Sequence, residues 1–311
     1  MELVQLPELV KRIIKERAAS VSFPVLARAA ADLSEAYRAG RPARLQSPAE
    51  LAAYLVTRMP ATYAAAHAVL GEVRRRLGER PVASVLDLGA GTGAASLAAR
   101  HWFPEAHLTL LERNPAMSGA ASEWLPEATF IGGDITRLET LPPHDLVIAA
   151  YSFGELNAVL GTRLWQAAQV ALVVIEPGTP CGFGVIRALR SGLLESGAHI
   201  LAPCPGSMPC PMAGDDWCHF AARVERSSLH RKVKGGALGY EDEKYSYLAV
   251  AREIATLPEA RIIRHPQHRP GLVELVLCTS EGLHQSAVRK RDRGRFREAR
   301  HAAWGDAIDG I

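Results

Sequence analysis

The first eighty residues have the hydrophobic period of amphipathic helices. Between residues 3 and 17, apolar side chains recur at the spacing of one helical face: Leu6, Leu9, Val10, Ile13 and Ile14. Residues Ser47 to Glu50 form a capping box with proline at the first helical position, which predicts a helix that ends before Pro60. An alanine-rich stretch over 62–77 predicts another helix. We therefore expect a helical N-terminal module at residues 1–80.

From residue 81 the pattern changes to short apolar runs separated by helical stretches. The runs cover 84–88, 107–112, 128–131, 145–151 and 170–176. Such alternation predicts an α/β fold, with an open, mostly parallel sheet and helices on both of its faces. We expect this core at residues 81–199.

After residue 199 the chain becomes rich in proline, glycine, cysteine, tryptophan and charge. Residues 200–260 are predicted to form a cysteine-rich insertion before the last strands. Two apolar runs at 261–264 and 272–278 predict an antiparallel pair, so that 261–285 are expected to close the core sheet. Residues 286–311 form a basic C-terminal tail.

Composition excludes some classes of protein. A hydrophobic content of 48% and a charged content of 22% are typical of a globular chain, and no apolar run is long enough to span a bilayer. The first residues lack the pattern of a secretory signal, so we expect neither export nor disulfides. The expected location is the cytoplasm, or the mitochondrial matrix in a eukaryote.

The net charge of +3 is unevenly distributed, since seven basic and two acidic residues lie between Arg289 and Arg300. A second basic group follows the cysteine-rich segment: Arg223, Arg226, Arg231, Lys232 and Lys234. Each group is either a solvated face or a surface for nucleic-acid phosphates.

A glycine-rich turn follows the first strand of the predicted core. The strand carries Asp87, and the turn contains Gly89, Gly91 and Gly93. Glycines in such a turn allow close approach of the backbone to a ligand, and the next helix directs its amides at that ligand. The third glycine comes one residue too early for a dinucleotide fingerprint, which disfavours an NAD enzyme. The turn resembles the first motif of S-adenosylmethionine-dependent methyltransferases, which are Rossmann-like.

This resemblance implies roles for further residues. It implies that Glu112, after the second strand, binds the ribose hydroxyls and that Asp134 reaches the adenine amino group. The glycines would line the methionine and ribose, and Tyr151 would border the cofactor after the fourth strand. Asp87, just before the turn, is counted with them as a cofactor-binding residue. The alternative is a tight turn flanked by surface caps. Catalytic residues stay unassigned, because neither a Pro-Pro-aromatic tetrad nor a Pro-Cys nucleophile follows the fourth strand, and Cys181 is interpreted as a loop or core residue.

Four cysteines form a candidate metal or iron–sulfur site: Cys204, Cys210, Cys218 and Cys278. Prolines on both sides of the first two exclude regular helix or central strand there, and loops of this kind suit converging thiolates. Tetrahedral zinc and a cubane cluster both remain open, but gaps of five, seven and fifty-nine residues favour the cluster over paired zinc knuckles. His219, beside Cys218, is expected to pack rather than to bind the metal. The Cys-x-x-x-Cys-x-x-Cys spacing of radical enzymes is missing.

Nearly the whole chain resembles the ribosomal small-subunit assembly methyltransferase-like family, which has bacterial-type and mitochondrial members. The resemblance rests on six parts of the sequence, in 54–63, 87–93, 152–156, 174–180, 202–220 and 240–247. It implies a class I S-adenosylmethionine methyltransferase fold and a [4Fe-4S] cluster on the four cysteines. It also implies binding to the small ribosomal subunit during maturation. Gly206 departs from the family, which often has histidine after Cys-Pro.

The expected function is that of a methyltransferase-like protein that binds the small ribosomal subunit and its rRNA, supports its assembly and is monomeric off the ribosome. Two alternatives remain: an active rRNA methyltransferase with a structural zinc, or a non-catalytic RNA-binding scaffold.

Overall fold

The computed structural model describes residues 3–38, 45–152 and 158–308 of the chain. Most of the similar segment at 152–156 therefore lies outside the described residues.

The N-terminal module is helical, as its period predicts. After a short strand, β1 (Leu3–Val4), it comprises α1 (Glu8–Ala19), α2 (Phe23–Arg38), α3 (Pro48–Thr57) and α4 (Met59–Leu77). The capping box at the start of α3 is confirmed: Ser47 Oγ accepts from Glu50 N at 3.3 Å, and Glu50 Oε2 accepts from Ser47 N at 2.8 Å. Pro60 lies in the first turn of α4, where its missing N–H leaves no helical hydrogen bond unmade. For this reason α4 begins before the predicted residue 62.

The core is a mixed α/β sheet. Its parallel strands are β2 (Ser84–Leu88), β3 (His107–Glu112), β4 (Thr129–Gly132), β5 (His144–Ala150) and β6 (Ala168–Pro177). The helices between them are α5 (Ala94–Trp102), α6 (Pro115–Ala121) and α7 (Ala158–Ala167), and α8 (Pro180–Glu195) follows β6. The strand order β6-β5-β2-β3-β4 reverses direction between β2 and β5. In an open α/β sheet, such a point is where ligands bind.

Both faces of this sheet are buried. Ile148 and Val173 pack on the side of α4 and α5, whereas Val147 and Val174 pack on the side of α7 and α8. This alternation is the physical reason for the continuous apolar runs in the sequence, because every residue of such a strand faces protein. The predicted doubly covered sheet is confirmed.

The edge beyond β6 is formed by residues predicted to be part of an insertion. The elements are β7 (His199–Ala202), β8 (Phe220–Glu225), α9 (Ser228–Lys234) and β9 (Tyr240–Ala251). Strand β9 runs antiparallel to β6, while β7 and β8 pair with the other side of β9. Residues 203–219 connect β7 to β8, and they carry three of the four grouped cysteines.

The strands predicted to close the core sheet belong to a second sheet. It contains β10 (Ala260–Ile262), β11 (Gln267–Arg269), β12 (Leu272–Thr279), β13 (Gly282–Arg289) and β14 (Ala307–Ile308), with α10 (Arg293–Ala299) beside it. The expected antiparallel pairing exists between β10 and β12. The placement at the core edge is wrong because β9, whose residues 245–251 are all buried, already occupies the position beside β6. The basic tail is likewise partly structured, in β13, α10 and β14.

Among the described residues, no helix is both long and apolar enough to cross a membrane.

Candidate cofactor site and cysteine cavity

The glycine-rich turn lies at the carboxyl end of β2, in the crevice between β2 and β5. Gly89, Gly91 and Gly93 have φ values of 65°, 57° and 72°, in the left-handed region that favours glycine. A Cβ on Gly89 would lie 2.7 Å from Ser152 Cβ, which leaves no room for a side chain there. The turn therefore has the bare backbone that close approach to a ligand requires.

Glu112 borders this turn from the end of β3. One carboxylate oxygen accepts from Gly91 N at 2.8 Å and the other accepts from Asn114 N at 2.7 Å. The carboxylate is thus fixed against the glycine turn, where the methyltransferase resemblance places a ribose ligand.

The two predicted aspartates lie in different environments. Asp87 is buried at 2% exposure and accepts from Ser96 Oγ of α5 at 2.6 Å, so it lies where it supports the turn. Burial raises the pKa of Asp87 to about 6. Asp134 follows β4 and accepts from Thr136 N and Oγ1, which lowers its pKa. Its other oxygen lies 3.8 Å from Arg113 Nη1.

The N-terminal module also borders the glycine turn. The hydroxyl of Tyr54, on α3, lies 3.8 Å from the position of a Cβ on Gly91. Leu45 O accepts from Asn114 Nδ2 at 3.3 Å, which joins the segment before α3 to the start of α6. The sequence did not single out Tyr54 as a site residue, although it opens the 54–63 segment that carries the family resemblance.

Tyr151, after β5, has an unusual backbone conformation. Its φ of 56° is in the left-handed region, although it is not glycine. Its hydroxyl donates to Glu243 Oε1 at 3.1 Å, and Arg58 Nη2 lies 3.6 Å from the same oxygen. Burial raises the pKa of Glu243. We call Arg58, Tyr151 and Glu243 the crevice cluster. Sequence periodicity did not identify Arg58, which lies between α3 and α4, or Glu243, which lies on β9.

Four thiols meet at one cavity beside β9, which contributes Tyr247 and Leu248 to its lining. Cys204, Cys210 and Cys218 come from the loop between β7 and β8, and Cys278 comes from β12 of the second sheet. All four line a cavity of about 50 Å³. One water needs roughly 10–15 Å³ on this measure, so the cavity has room for several atoms. Cys278 therefore lies beside the loop, as a site shared by the four cysteines requires.

The thiols are close enough to influence one another. Burial raises the pKa of Cys204, Cys218 and Cys278, the last to about 12, and neighbouring thiols raise these pKa values further. Bound metal would reverse this effect, because coordination requires and stabilises thiolate.

The predicted metal centre is not present as a formed single-ion site. Within residues 3–38, 45–152 and 158–308, no group of three or more His, Cys, Asp or Glu side chains is placed to hold one metal ion. What fits a metal is the donor set, four thiols around one cavity.

Two neighbouring residues are separate from this cavity. His219 stacks on Trp217 with ring centroids 5.1 Å apart and meets Trp304 edge-on at 4.8 Å, as expected of a packing residue. Cys181 is exposed in the first turn of α8.

The two basic groups differ in how they are paired. Arg223 binds Asp242 at 2.7 Å, while Arg226 and Lys234 bind Glu241 at 2.6 and 3.2 Å. Three of the five cations after the cysteine loop are therefore paired within the protein. In the tail, all seven basic residues between 289 and 300 are exposed.

Comparison with known proteins reveals relatives over most of the chain. The family model for mitochondrial small ribosomal subunit Rsm22 matches residues 48–309. The human ribosome assembly protein METTL17, mitochondrial, is 28% identical over 290 residues, covering 82% of this chain and 61% of that protein. The Rsm22-cox11 tandem protein 2, mitochondrial, of Schizosaccharomyces pombe is 25% identical over 327 residues, covering 85% of this chain and 43% of that protein.

Among solved structures, one similar chain is the plantazolicin methyltransferase BpumL in complex with monoazolic desmethylPZN analog and SAH. It is 12% identical with a TM-score of 0.45, and the match covers 78% of this chain and 99% of that one. The chain spans less than two thirds of the length of the two relatives named above. With 262 consecutive positions (48–309) matched by one family model, the chain belongs to the Rsm22 family.

Proposed function

We propose that this protein is an assembly factor of the small ribosomal subunit that binds rRNA and holds a [4Fe-4S] cluster on Cys204, Cys210, Cys218 and Cys278. One observation carries the proposal: in a chain of the Rsm22 family, three thiols from the loop between β7 and β8 and one from β12 line a single cavity. A shared centre there ties the second sheet and its basic tail to the core.

The cluster is favoured over zinc by the spacing of the cysteines. Structural zinc commonly uses two closely spaced cysteine pairs, whereas here the gaps are five, seven and fifty-nine residues.

The crevice is proposed to bind S-adenosylmethionine. Glu112 and Asp134 would hold its ribose and adenine ends, and the turn at Gly89, Gly91 and Gly93 would accept its methionine part, with Tyr151 at its border. Asp87 would support the turn from beneath. When bound, S-adenosylmethionine supplies an electrophilic methyl group. The proposed assembly role requires no methyl transfer, because neither a Pro-Pro-aromatic tetrad nor a Pro-Cys nucleophile follows the fourth strand in the sequence.

The rRNA surface is assigned to the tail rather than to the region after the cysteine loop. Paired cations are less available to phosphates, and three of the five cations in that region are paired with Asp242 or Glu241. The exposed cations of the tail are Arg289, Lys290, Arg291, Arg293, Arg295, Arg297 and Arg300. Of the seven, six are arginines, which bind phosphate oxygens in pairs.

The test is sedimentation of the purified protein with small ribosomal subunits at fixed salt. Cys210→Ser removes one cluster ligand from the loop between β7 and β8, so we expect at least a tenfold loss of association together with loss of iron. Cys181→Ser is the matched control, because Cys181 is exposed and away from the cavity. Equal binding by wild type and Cys210→Ser would contradict the proposal.

A further inference from the structure

Arg190 is a buried cation that reaches the cysteine cavity from α8. It is only 6% exposed and lines the cavity beside the four thiols. Its Nη2 donates to Gly206 O at 2.9 Å and to Met208 O at 2.7 Å. These carbonyls lie between Cys204 and Cys210, so the guanidinium holds that part of the loop against the helix.

The charges around the cavity do not balance. Its described lining contains three arginines, Arg187, Arg190 and Arg261, and no carboxylate. Arg261 has a buried partner in Glu72 at 2.7 Å. However, the same carboxylate also pairs with Arg75 and Arg76, at 2.8 and 3.0 Å.

Arg190 itself forms no ion pair with any described residue, and its buried Nε has no hydrogen-bond partner among them. A buried guanidinium without an anion is strongly unfavourable, and proteins pair such groups. The positive charge lies against the thiols, because Arg190 and all four cysteines line the same cavity. The missing anion is therefore expected inside the cavity.

We infer that the cavity is built for an inorganic centre of net negative charge, and that Arg190 is the positioning residue that balances this charge. The inference rests on the proposed function and extends it to the electrostatics of the site. Four thiolates around a [4Fe-4S]²⁺ core or around Zn²⁺ leave roughly two net negative charges, which one unpaired guanidinium partly offsets. A neutral occupant leaves the charge of Arg190 unbalanced.

For a cluster, the inference predicts a shift in reduction potential. One-electron reduction adds negative charge to the centre, and a neighbouring cation stabilises the reduced form. Arg190→Gln keeps a hydrogen-bond donor for the loop carbonyls but removes the charge. We expect its potential to be at least 59 mV more negative than that of wild type, which is a tenfold change for one electron. Release of iron to a chelator should also be at least tenfold faster.

Two variants serve as controls. Arg190→Lys retains the positive charge but lacks the planar guanidinium. The equilibrium constant for reduction of its cluster should therefore stay within twofold of that of wild type. Arg187→Gln removes an exposed arginine from the cavity mouth and should match wild type in potential and iron release.

The apo-protein separates a charge role from a merely structural one. Without metal, the described lining supplies no carboxylate to balance Arg190, so Arg190→Gln should leave the Tm of the apo-protein unchanged or raise it. A lower apo Tm with an unchanged potential would mean that Arg190 only tethers the loop, and would overturn the inference. If the wild-type protein binds neither iron nor zinc, both the proposed cluster and this inference are overturned. If the wild-type protein holds a cluster and Arg190→Gln has the same reduction potential, only this inference is overturned.

Discussion

At the scale of single residues, some members of the two sites could be predicted from local sequence spacing, whereas others are brought together only by tertiary contacts. The glycines and Glu112 were predictable because a turn and the end of the next strand obey fixed local geometry. Arg58, Glu243 and Arg190 were not, since each meets its partners through helix packing or strand register across more than ten positions. The cysteines were found because thiols are few and their proline neighbours exclude regular structure.

His230 is a buried histidine whose environment disfavours its charge. It is 1% exposed, and neither ring nitrogen has a hydrogen-bond partner among the described residues. Burial lowers its pKa to about 4, against partial opposition from Glu241, whose Oε1 lies 3.5 Å from Nε2. The cations of Lys234, Arg226 and Arg58 also lower this pKa.

This pKa makes folding sensitive to acid. The unfolded histidine takes a proton below about pH 6.5, whereas the folded one does so only near pH 4. Its contribution to the free energy of unfolding is complete above pH 6.5 and is lost as the pH falls to 4. From pH 7 to pH 5, wild type should lose about 2 kcal/mol more than His230→Gln in urea unfolding. His268→Gln, at an exposed position, should behave like wild type, and parallel pH profiles for wild type and His230→Gln would disprove the assignment.

At the scale of elements, the close contact between α4 and α5 depends on a glycine. A Cβ on Gly71 would lie 2.7 Å from Trp102 Cζ2, and the indole N–H of Trp102 donates to His67 O at 2.9 Å. The ring is thus held in place, and the two helices approach closely only because no side chain stands at position 71.

Gly71→Ala is therefore expected to lower the free energy of unfolding by about 1–3 kcal/mol through overpacking. Gly184→Ala is the matched control within α8, because a Cβ there meets no atom within 4 Å. That variant should gain about 0.5–1 kcal/mol from helix propensity. Urea unfolding of the two variants measures the contrast, and a Gly71→Ala protein as stable as Gly184→Ala would be inconsistent with the packing described.

The hydrophobic period of the sequence predicted which segments are helices and which are strands. It did not predict how the last strands pair. The five parallel strands have apolar runs because both of their faces are covered. Strand β9 escaped prediction because its first half, Tyr240–Lys244, is polar where it meets β8 and the N-terminal helices. The apolar runs within 261–278 predicted an antiparallel pair of strands, but they did not indicate to which sheet the pair belongs.

At the scale of the whole molecule, β9 connects the two candidate sites. Residues 243, 245 and 247 lie on one face of the strand, since side chains two apart share a face. Glu243 belongs to the crevice cluster, and Tyr247 lines the cysteine cavity. The second sheet joins the core at this same cavity through Cys278 and the buried Arg261–Glu72 ion pair. A centre bound by all four thiols would therefore link the crevice, the loop and the basic tail.

The most direct test is the metal and sulfide content of wild-type protein purified without oxygen, measured together with its visible absorbance. The account predicts about four irons and four sulfides per chain and a broad absorbance that dithionite bleaches. Colourless protein containing one zinc, or no metal at all, while retaining full affinity for the small ribosomal subunit, would contradict it.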